Sequence, residues 1–276
     1  MLVQNMRLLE NTSVSKLFCE SFDQNILRSA YSYVNNLHDP LRCNSFALVI
    51  RELIRIAIAR IAPDEKVKKT SWFKGDEKEG KIVVTRAERY RFAVSGYLSD
   101  ELITKHPQFN TKSEVDGLIV AIKALNKYAH ISEETYSRDD KDVQNFKNEI
   151  ENAVIDYAES LELTQKRIQN RVWDLTQIEL WHKIANNFPD ELDCLSTRSI
   201  IEEVVIEEMP EMQLDHPRPI LTGSGFAEVE LNYGSRSDEQ VSSHDSFPLE
   251  FTASINPDTL EVNIKDFSVD ASSFYE

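Results

Sequence analysis

The residues best suited to chemistry in this sequence lie close together in the segment 121–130, AIKALNKYAH. At about 100° per residue, a helix would place Lys123, Asn126, Lys127 and His130 within one arc of about 100°. An imidazole at His130 can act as acid or base, Lys123 and Lys127 can hold a phosphate, and Asn126 can orient it. This set fits a metal-independent cleavage in which the base activates a ribose 2′-OH. The alternative is a solvated helix end whose basic side chains complement the helix dipole.

A second basic group lies on the helix predicted to begin at Thr85. Thr85 followed by Glu88 matches the capping-box pattern of a helix start. Arg86 and Arg89 then share one face of that helix, and guanidinium groups bind phosphates well. We expect Arg86 and Arg89 to contact nucleic acid, and two basic helices could converge on one phosphate.

Motifs for other chemistries are absent from the sequence. It has no GxxxxGK[ST], GxGxxG, GxSxG or HExxH pattern. The three cysteines, Cys19, Cys43 and Cys194, are far apart and form no CxxC pair, which indicates free thiols in a reducing cytoplasm. We therefore expect no metal and no cofactor.

The charge of the chain is concentrated at one end. Residues 1–136 carry 20 Lys/Arg and 17 Asp/Glu, whereas residues 201–276 carry 3 and 17. The last segment would repel a phosphate backbone, so a nucleic-acid contact is expected in the first half. The acidic segment is either a solvated face or a surface for a basic protein partner.

Residues 1–136 show the apolar spacing of a helical bundle. Helices are predicted over about 15–37, 42–61, 85–98 and 113–130. The helix over 42–61 is apolar nearly all round, so it should be central, and its Arg51 and Arg55 share a face beside Glu52. Residues 64–82 are predicted to form an exposed loop that carries Trp72 and Phe73.

The remaining sequence divides into two further segments. Residues 137–198 form one long helix or a helical hairpin, which either mediates a homodimer or packs on the bundle. Residues 199–276 alternate apolar and acidic side chains, which indicates four or five antiparallel strands. The fold class is therefore α+β. No signal peptide and no run of 18 apolar residues is found, so we expect a cytoplasmic protein without a membrane span.

Several segments in order resemble a bacterial family of predicted pPIWI-associating nucleases, found among genome-conflict and anti-phage loci. The segments are DPLRCNSFALVIRELIRIAIARIAPDEKVKKTSWF at 39–73, TRAERYRFAVSGYLSDELI at 85–103, LIVAIKALNKYAHI at 118–131, GSGFAEVELNYGSRSDE at 223–239, DSFPLEF at 245–251 and SVDASSFYE at 268–276. The resemblance covers residues 39–276 and implies a nuclease of an antiviral defence system.

The helical body is also similar to HEPN domains, helical bundles that often act as metal-independent RNases. Their signature is an arginine shortly before a histidine on a late helix. His130 stands at the histidine place, but residues 123–125, where the arginine is expected, read Lys-Ala-Leu. The resemblance thus implies an RNase that binds RNA in preference to DNA. The alternatives are a HEPN-like adaptor that dimerises without catalysis and a nucleic-acid sensor.

Overall fold

Two separate units make up the chain in a computed structural model, which describes residues 6–208, 218–234 and 241–275. The first unit is Met1–Lys166 and the second is Arg167–Glu276. The boundaries near residues 136 and 198 that the sequence indicates stay a prediction. The observed division falls inside a single helix that runs from Asp140 to Asn186.

The first unit contains the predicted bundle. Its helices are α1 (Arg7–Glu10), α2 (Thr12–Leu17), α3 (Ser21–Val34), α4 (Arg42–Ile61), α5 (Asp64–Val67), α6 (Arg86–Ser95), α7 (Asp100–Lys105), α8 (Lys112–Tyr128) and the first part of α9 (Asp140–Asn186). A short 3₁₀ turn, Pro107–Phe109, lies between α7 and α8.

Helix α4 is central, as its composition predicted. It packs against α3, α6 and α8, and its buried residues include Phe46, Ile50 and Ile54. The bounds of α4 agree with the sequence prediction because Pro40 and Pro63 flank it and proline cannot continue a helix. The helix that carries Arg51 and Arg55 is therefore held firmly by its apolar faces.

The segment 64–82 is more structured than the sequence predicted. Besides α5 it contains two short antiparallel strands, β1 (Asp76–Lys78) and β2 (Lys81–Val83). Trp72 is buried rather than exposed, and the Arg91 guanidinium lies 4.0 Å from the centre of its indole ring. This cation–π contact explains the burial of a tryptophan in a polar segment.

Helix α9 is one continuous helix of 47 residues, so the alternative of a helical hairpin is wrong. It contains neither glycine nor proline that would interrupt it. Val143, Phe146 and Ile150 are buried in the core of the first unit. These three side chains therefore pack within the chain.

The second unit is a four-stranded antiparallel sheet with the last part of α9. Its strands are β3 (Arg198–Glu208), β4 (Ile220–Tyr233), β5 (Val241–Ile255) and β6 (Val262–Val269), in spatial order β3-β4-β5-β6. A short helix, α10 (Asp190–Asp193), precedes the sheet and a 3₁₀ turn, Ser272–Tyr275, follows it. The arrangement confirms the predicted α+β class.

Buried and exposed side chains alternate along the strands, so the sheet has an apolar face and a polar face. Phe247, Leu249 and Phe251 of β5 are buried, whereas Glu250 between them is exposed. The part of α9 in this unit buries a stripe at every fourth position, namely Ile168, Val172, Thr176, Leu180 and Ile184. This spacing supplies an apolar helix face to cover the sheet.

The edge strand β3 is irregular at two places. Its register with β4 shifts between Ile201 and Glu203 and again between Ile206 and Glu208. Each shift leaves two consecutive glutamates exposed where strict alternation would bury one of them.

Two further findings concern the whole described chain. None of its described helices combines the length and the apolar content that crossing a membrane requires. The cysteines are free thiols, as predicted, with Cys43 buried and Cys19 and Cys194 exposed.

Candidate nucleic-acid interface

Helix α6 begins with the two arginines that the sequence singled out. Thr85 caps the helix through the predicted capping box, in which Thr85 Oγ1 accepts the Glu88 N–H and Glu88 accepts the Thr85 N–H. Arg86 is the first residue of α6 and Arg89 lies one turn later. Cations are unfavourable at the positive end of a helix dipole. Arg89 is stabilised there by its ion pair with Asp64, and among the described residues Arg86 has no such partner.

Helix α4 brings a second arginine pair to the same place. Glu52 lies between the two guanidinium groups, with 2.8 Å from Arg51 Nη2 to Glu52 Oε1 and 2.7 Å from Arg55 Nε to Glu52 Oε2. The hydrogen bond from Arg55, together with that from Arg51, outweighs partial burial and lowers the pKa of Glu52. This carboxylate stays ionised and orients both arginines.

The two pairs line one cavity of about 630 Å³, which we call the arginine cavity. Its charged lining residues are Arg51, Arg55, Lys78, Arg86 and Arg89, and the acidic Glu52 and Asp76. Five cations against two carboxylates give an excess of three positive charges. Apolar and aromatic side chains complete the lining, and among them are Ile58, Val84, Tyr90 and Ile122. An excess of this size in a recess attracts phosphate groups.

The arginines of the cavity differ in how much of their charge is already satisfied. Arg89 is ion-paired with Asp64, and its Nη1 donates to the Ala62 carbonyl at 3.3 Å. Arg51 and Arg55 share the single carboxylate of Glu52. Within the described residues Arg86 has neither an ion pair nor a hydrogen bond, and it is exposed. Arg86 is therefore the arginine of the cavity most available to an incoming anion.

One wall of the cavity is the β1–β2 hairpin, held in place by Glu88. Glu88 Oε1 accepts the N–H groups of Lys74 and Gly75 at 3.0 and 2.7 Å, and Oε2 accepts the N–H and the hydroxyl of Thr85 at 2.8 and 2.9 Å. Glu88 thus joins the two ends of the hairpin to the start of α6. Gly75 has φ +69°, and a Cβ there would meet Ile82 at 2.3 Å, so only glycine fits this bend.

Tyr90 on the cavity floor is a neutral phenol. Burial raises its pKa to about 12, although the nearby Arg86 and Arg89 lower it in part. Tyr90 is therefore not a base near neutral pH.

The α8 end group, which we define as Lys123, Asn126, Lys127 and His130, lies outside the lining of this cavity. Lys123 is exposed, Asn126 is partly buried, and Lys127 Nζ lies 2.7 Å from Glu134 Oε2 with both side chains in solvent. The hydrogen bond from Lys127 to Glu134 raises the pKa of Lys127. Of helix α8, the cavity lining includes Ile122. The α6 arginines thus converge with the α4 arginines and not with the α8 lysines.

His130 follows the end of helix α8 rather than lying on it. The helix stops at Tyr128, whose carbonyl accepts Asn44 Nδ2 at 2.9 Å, and Thr135 Oγ1 donates to the His130 carbonyl at 2.8 Å. The regular helical arc therefore applies to Lys123, Asn126 and Lys127 but not to His130. The imidazole is exposed.

The residues that sequence reasoning did not assign to the site are Arg51, Arg55 and Lys78. The i,i+4 arginine pair beside Glu52 was visible in the sequence, but its alignment with Arg86 depends on the packing of α4 against α6. Nowhere in residues 6–208, 218–234 and 241–275 do three His, Cys, Asp or Glu side chains lie close enough to share a metal ion.

Comparison with protein families gives two matches in succession. Residues 15–153 match one model and residues 161–275 match a second, and both models describe a predicted pPIWI-associating nuclease. No curated protein and no solved structure matches the chain. The two matches extend over both units and include the arginine cavity. The chain therefore belongs to the family of predicted pPIWI-associating nucleases.

Proposed function

We propose that this protein is a metal-independent nuclease that acts on RNA and holds its phosphate groups in the arginine cavity. The observation that carries the proposal is the convergence of Arg51, Arg55, Arg86 and Arg89 on one recess with excess positive charge. Preorganised cations stabilise the charge that develops on a phosphate during cleavage. RNA carries its own nucleophile, the 2′-OH, so the protein needs to add only an acid or base and phosphate ligands.

In this proposal the acid or base is His130, with Lys123, Asn126 and Lys127 as the groups that contact the scissile phosphate. Ile122, which lines the cavity, lies six residues before the end of α8 at Tyr128, about 9 Å along the helix axis, and His130 follows two residues later. An RNA strand anchored in the arginine cavity would then reach His130 within a few nucleotides. The exposure of the imidazole supports this role, because a substrate can approach it.

The test uses end-labelled single-stranded RNA incubated with purified protein in EDTA. We expect the wild type to cut, His130→Ala to bind without cutting, and Arg86→Ala to bind RNA more weakly. Arg28→Ala is the matched control, since Arg28 is an exposed arginine on α3 that does not line the arginine cavity and does not belong to the α8 end group. Loss of wild-type cutting in EDTA would instead indicate a metal-dependent nuclease. Binding without any cutting by the wild type would favour a sensor.

A second proposal concerns the acidic sheet, which we infer to bind a basic protein partner within a bacterial anti-phage or genome-conflict system. Residues 201–276 carry 17 acidic and 3 basic side chains. The family description names association with pPIWI. A non-catalytic adaptor would need only this contact and, as the sequence suggested, dimer formation.

Charge reversal separates the adaptor from the nuclease. Glu203, Glu250 and Glu261 are exposed in the second unit, so their replacement by lysine should leave the fold intact. We expect this triple variant to lose phage protection while it still cuts RNA in vitro. If His130→Ala protects as well as the wild type, the adaptor is the correct function and catalysis is not.

A further inference from the structure

The size of the arginine cavity restricts what can enter it. Its volume, about 630 Å³, lies within the range of about 300–1,000 Å³ that is typical of small-ligand sites. The β1–β2 hairpin forms one wall and the α4, α6 and α8 helices form the others. A recess of this size can admit one nucleotide.

The chemistry of the lining matches a phosphate group. Arginines supply donors for phosphate oxygens. Ile58, Val84, Tyr90 and Ile122 also line the recess, but each is almost fully buried, so little of their surface is open to a base. The lining is therefore selective for the phosphate.

The charge excess favours a phosphate at a strand end. A phosphodiester inside a strand carries one negative charge, whereas a terminal phosphomonoester carries about 1.5 to 2 at pH 7. The lining has an excess of three positive charges, of which one, on Arg89, is offset by Asp64 outside the lining, and Arg86 is without a carboxylate partner among the described residues. Glu52 forms ion pairs with Arg51 and Arg55, and a bound anion would compete with it for both guanidinium groups.

Resting on the proposed function, we infer that the arginine cavity binds the phosphorylated end of a single RNA strand. The terminal phosphomonoester lies among Arg51, Arg55 and Arg86. The site thus selects substrates by their end, and cleavage occurs at a set distance from it.

The test compares three 12-nucleotide single-stranded RNAs of one sequence, with a 5′-phosphate, a 3′-phosphate or hydroxyls at both ends. Fluorescence anisotropy measures their affinity for the full chain. One phosphorylated RNA should bind about tenfold more tightly than the hydroxyl form, the size expected for an added charge-assisted contact. Which of the two does so identifies the end that is recognised.

Three variants locate the effect. Arg86→Ala should remove the preference for the phosphorylated end, Arg28→Ala should keep it, and Glu52→Gln should raise the affinity severalfold because it frees two arginines. Equal binding of all three RNAs by the wild type would overturn end recognition while leaving the nuclease proposal intact. Failure of every RNA to bind would overturn the proposed function itself.

Discussion

Glu88 connects the hairpin to helix α6, and its removal gives a direct measure of what holds the cavity wall. Glu88→Ala deletes the acceptor of four hydrogen bonds, three of them from backbone N–H groups at Lys74, Gly75 and Thr85. Each bond contributes about 0.5–1.5 kcal/mol net. Thr85 Oγ1 still caps the Glu88 N–H. We expect a loss of about 2–6 kcal/mol in the local stability of the hairpin.

Hydrogen exchange at the three backbone amides is the most direct assay. A loss of about 2 kcal/mol or more corresponds to exchange faster by roughly 30-fold at Lys74, Gly75 and Thr85. Glu101→Ala is the control, since that carboxylate is exposed and bonds only to Lys105 one turn away. Unchanged exchange in Glu88→Ala would show that the hairpin is held by other contacts, and the reasoning would fail.

The pH dependence of the stability difference between the wild type and Glu88→Ala provides a second check. Burial raises the pKa of Glu88, but the hydrogen bonds from Thr85, Gly75 and Lys74 outweigh it and bring the pKa below the ordinary 4.5. A lowered carboxylate pKa stabilises the folded state fully above 4.5, and the stabilisation is lost as the pH falls through the folded pKa. The gap between wild type and Glu88→Ala should therefore shrink below about pH 4.5. A gap that is constant with pH would contradict this.

Three further outcomes are expected. Tyr31→Phe removes a 2.6 Å hydrogen bond to the buried Glu151 and should destabilise the first unit by about 2–4 kcal/mol in urea unfolding, whereas Tyr33→Phe at an exposed site should have little effect. Arg86→Ala should make the slope of log K against log salt for RNA shallower by about 0.7, as one lost phosphate contact implies; an unchanged slope would exclude that contact. Native protein should take up two iodoacetamide labels, at the exposed Cys19 and Cys194. Cys43 should not react, because burial hides its thiol and raises its pKa to about 11. A third label would contradict the burial of Cys43.

Local signals in the sequence were enough to predict most of the helices and strands. Thr85 and Glu88 predicted the start of α6 because a capping box involves residues only three apart. The β5 strand was predictable because its apolar face is buried and its other face is wet. The β1–β2 hairpin gave no such signal, since its strands are three residues long and almost fully exposed.

The sequence indicated individual residues of the candidate site but not how they come together. Arg86 and Arg51 each belong to a visible helical pair, but the cavity exists because α4, α6 and α8 pack together, and no local pattern encodes that packing. Two hydrogen bonds hold the segment around His130. Thr135 donates to the His130 carbonyl, and Asn44 donates to the carbonyl of Tyr128, which lies 84 residues further along the chain. Contacts at such separations are fixed by the tertiary fold, so the helical arc failed at its last member.

The glutamate pairs on strand β3 have a consequence for how the protein behaves at high concentration. β3 is an outer strand, and an open strand edge is a template on which other chains can pair and grow into fibres. Two register shifts interrupt its regular pairing, and the exposed carboxylates beside them repel an identical edge. Replacing Glu203 and Glu207 by valine would flatten and neutralise this edge, so colloidal solubility would fall even though the fold is kept. Part of the acidity of the sheet thus serves to keep molecules apart.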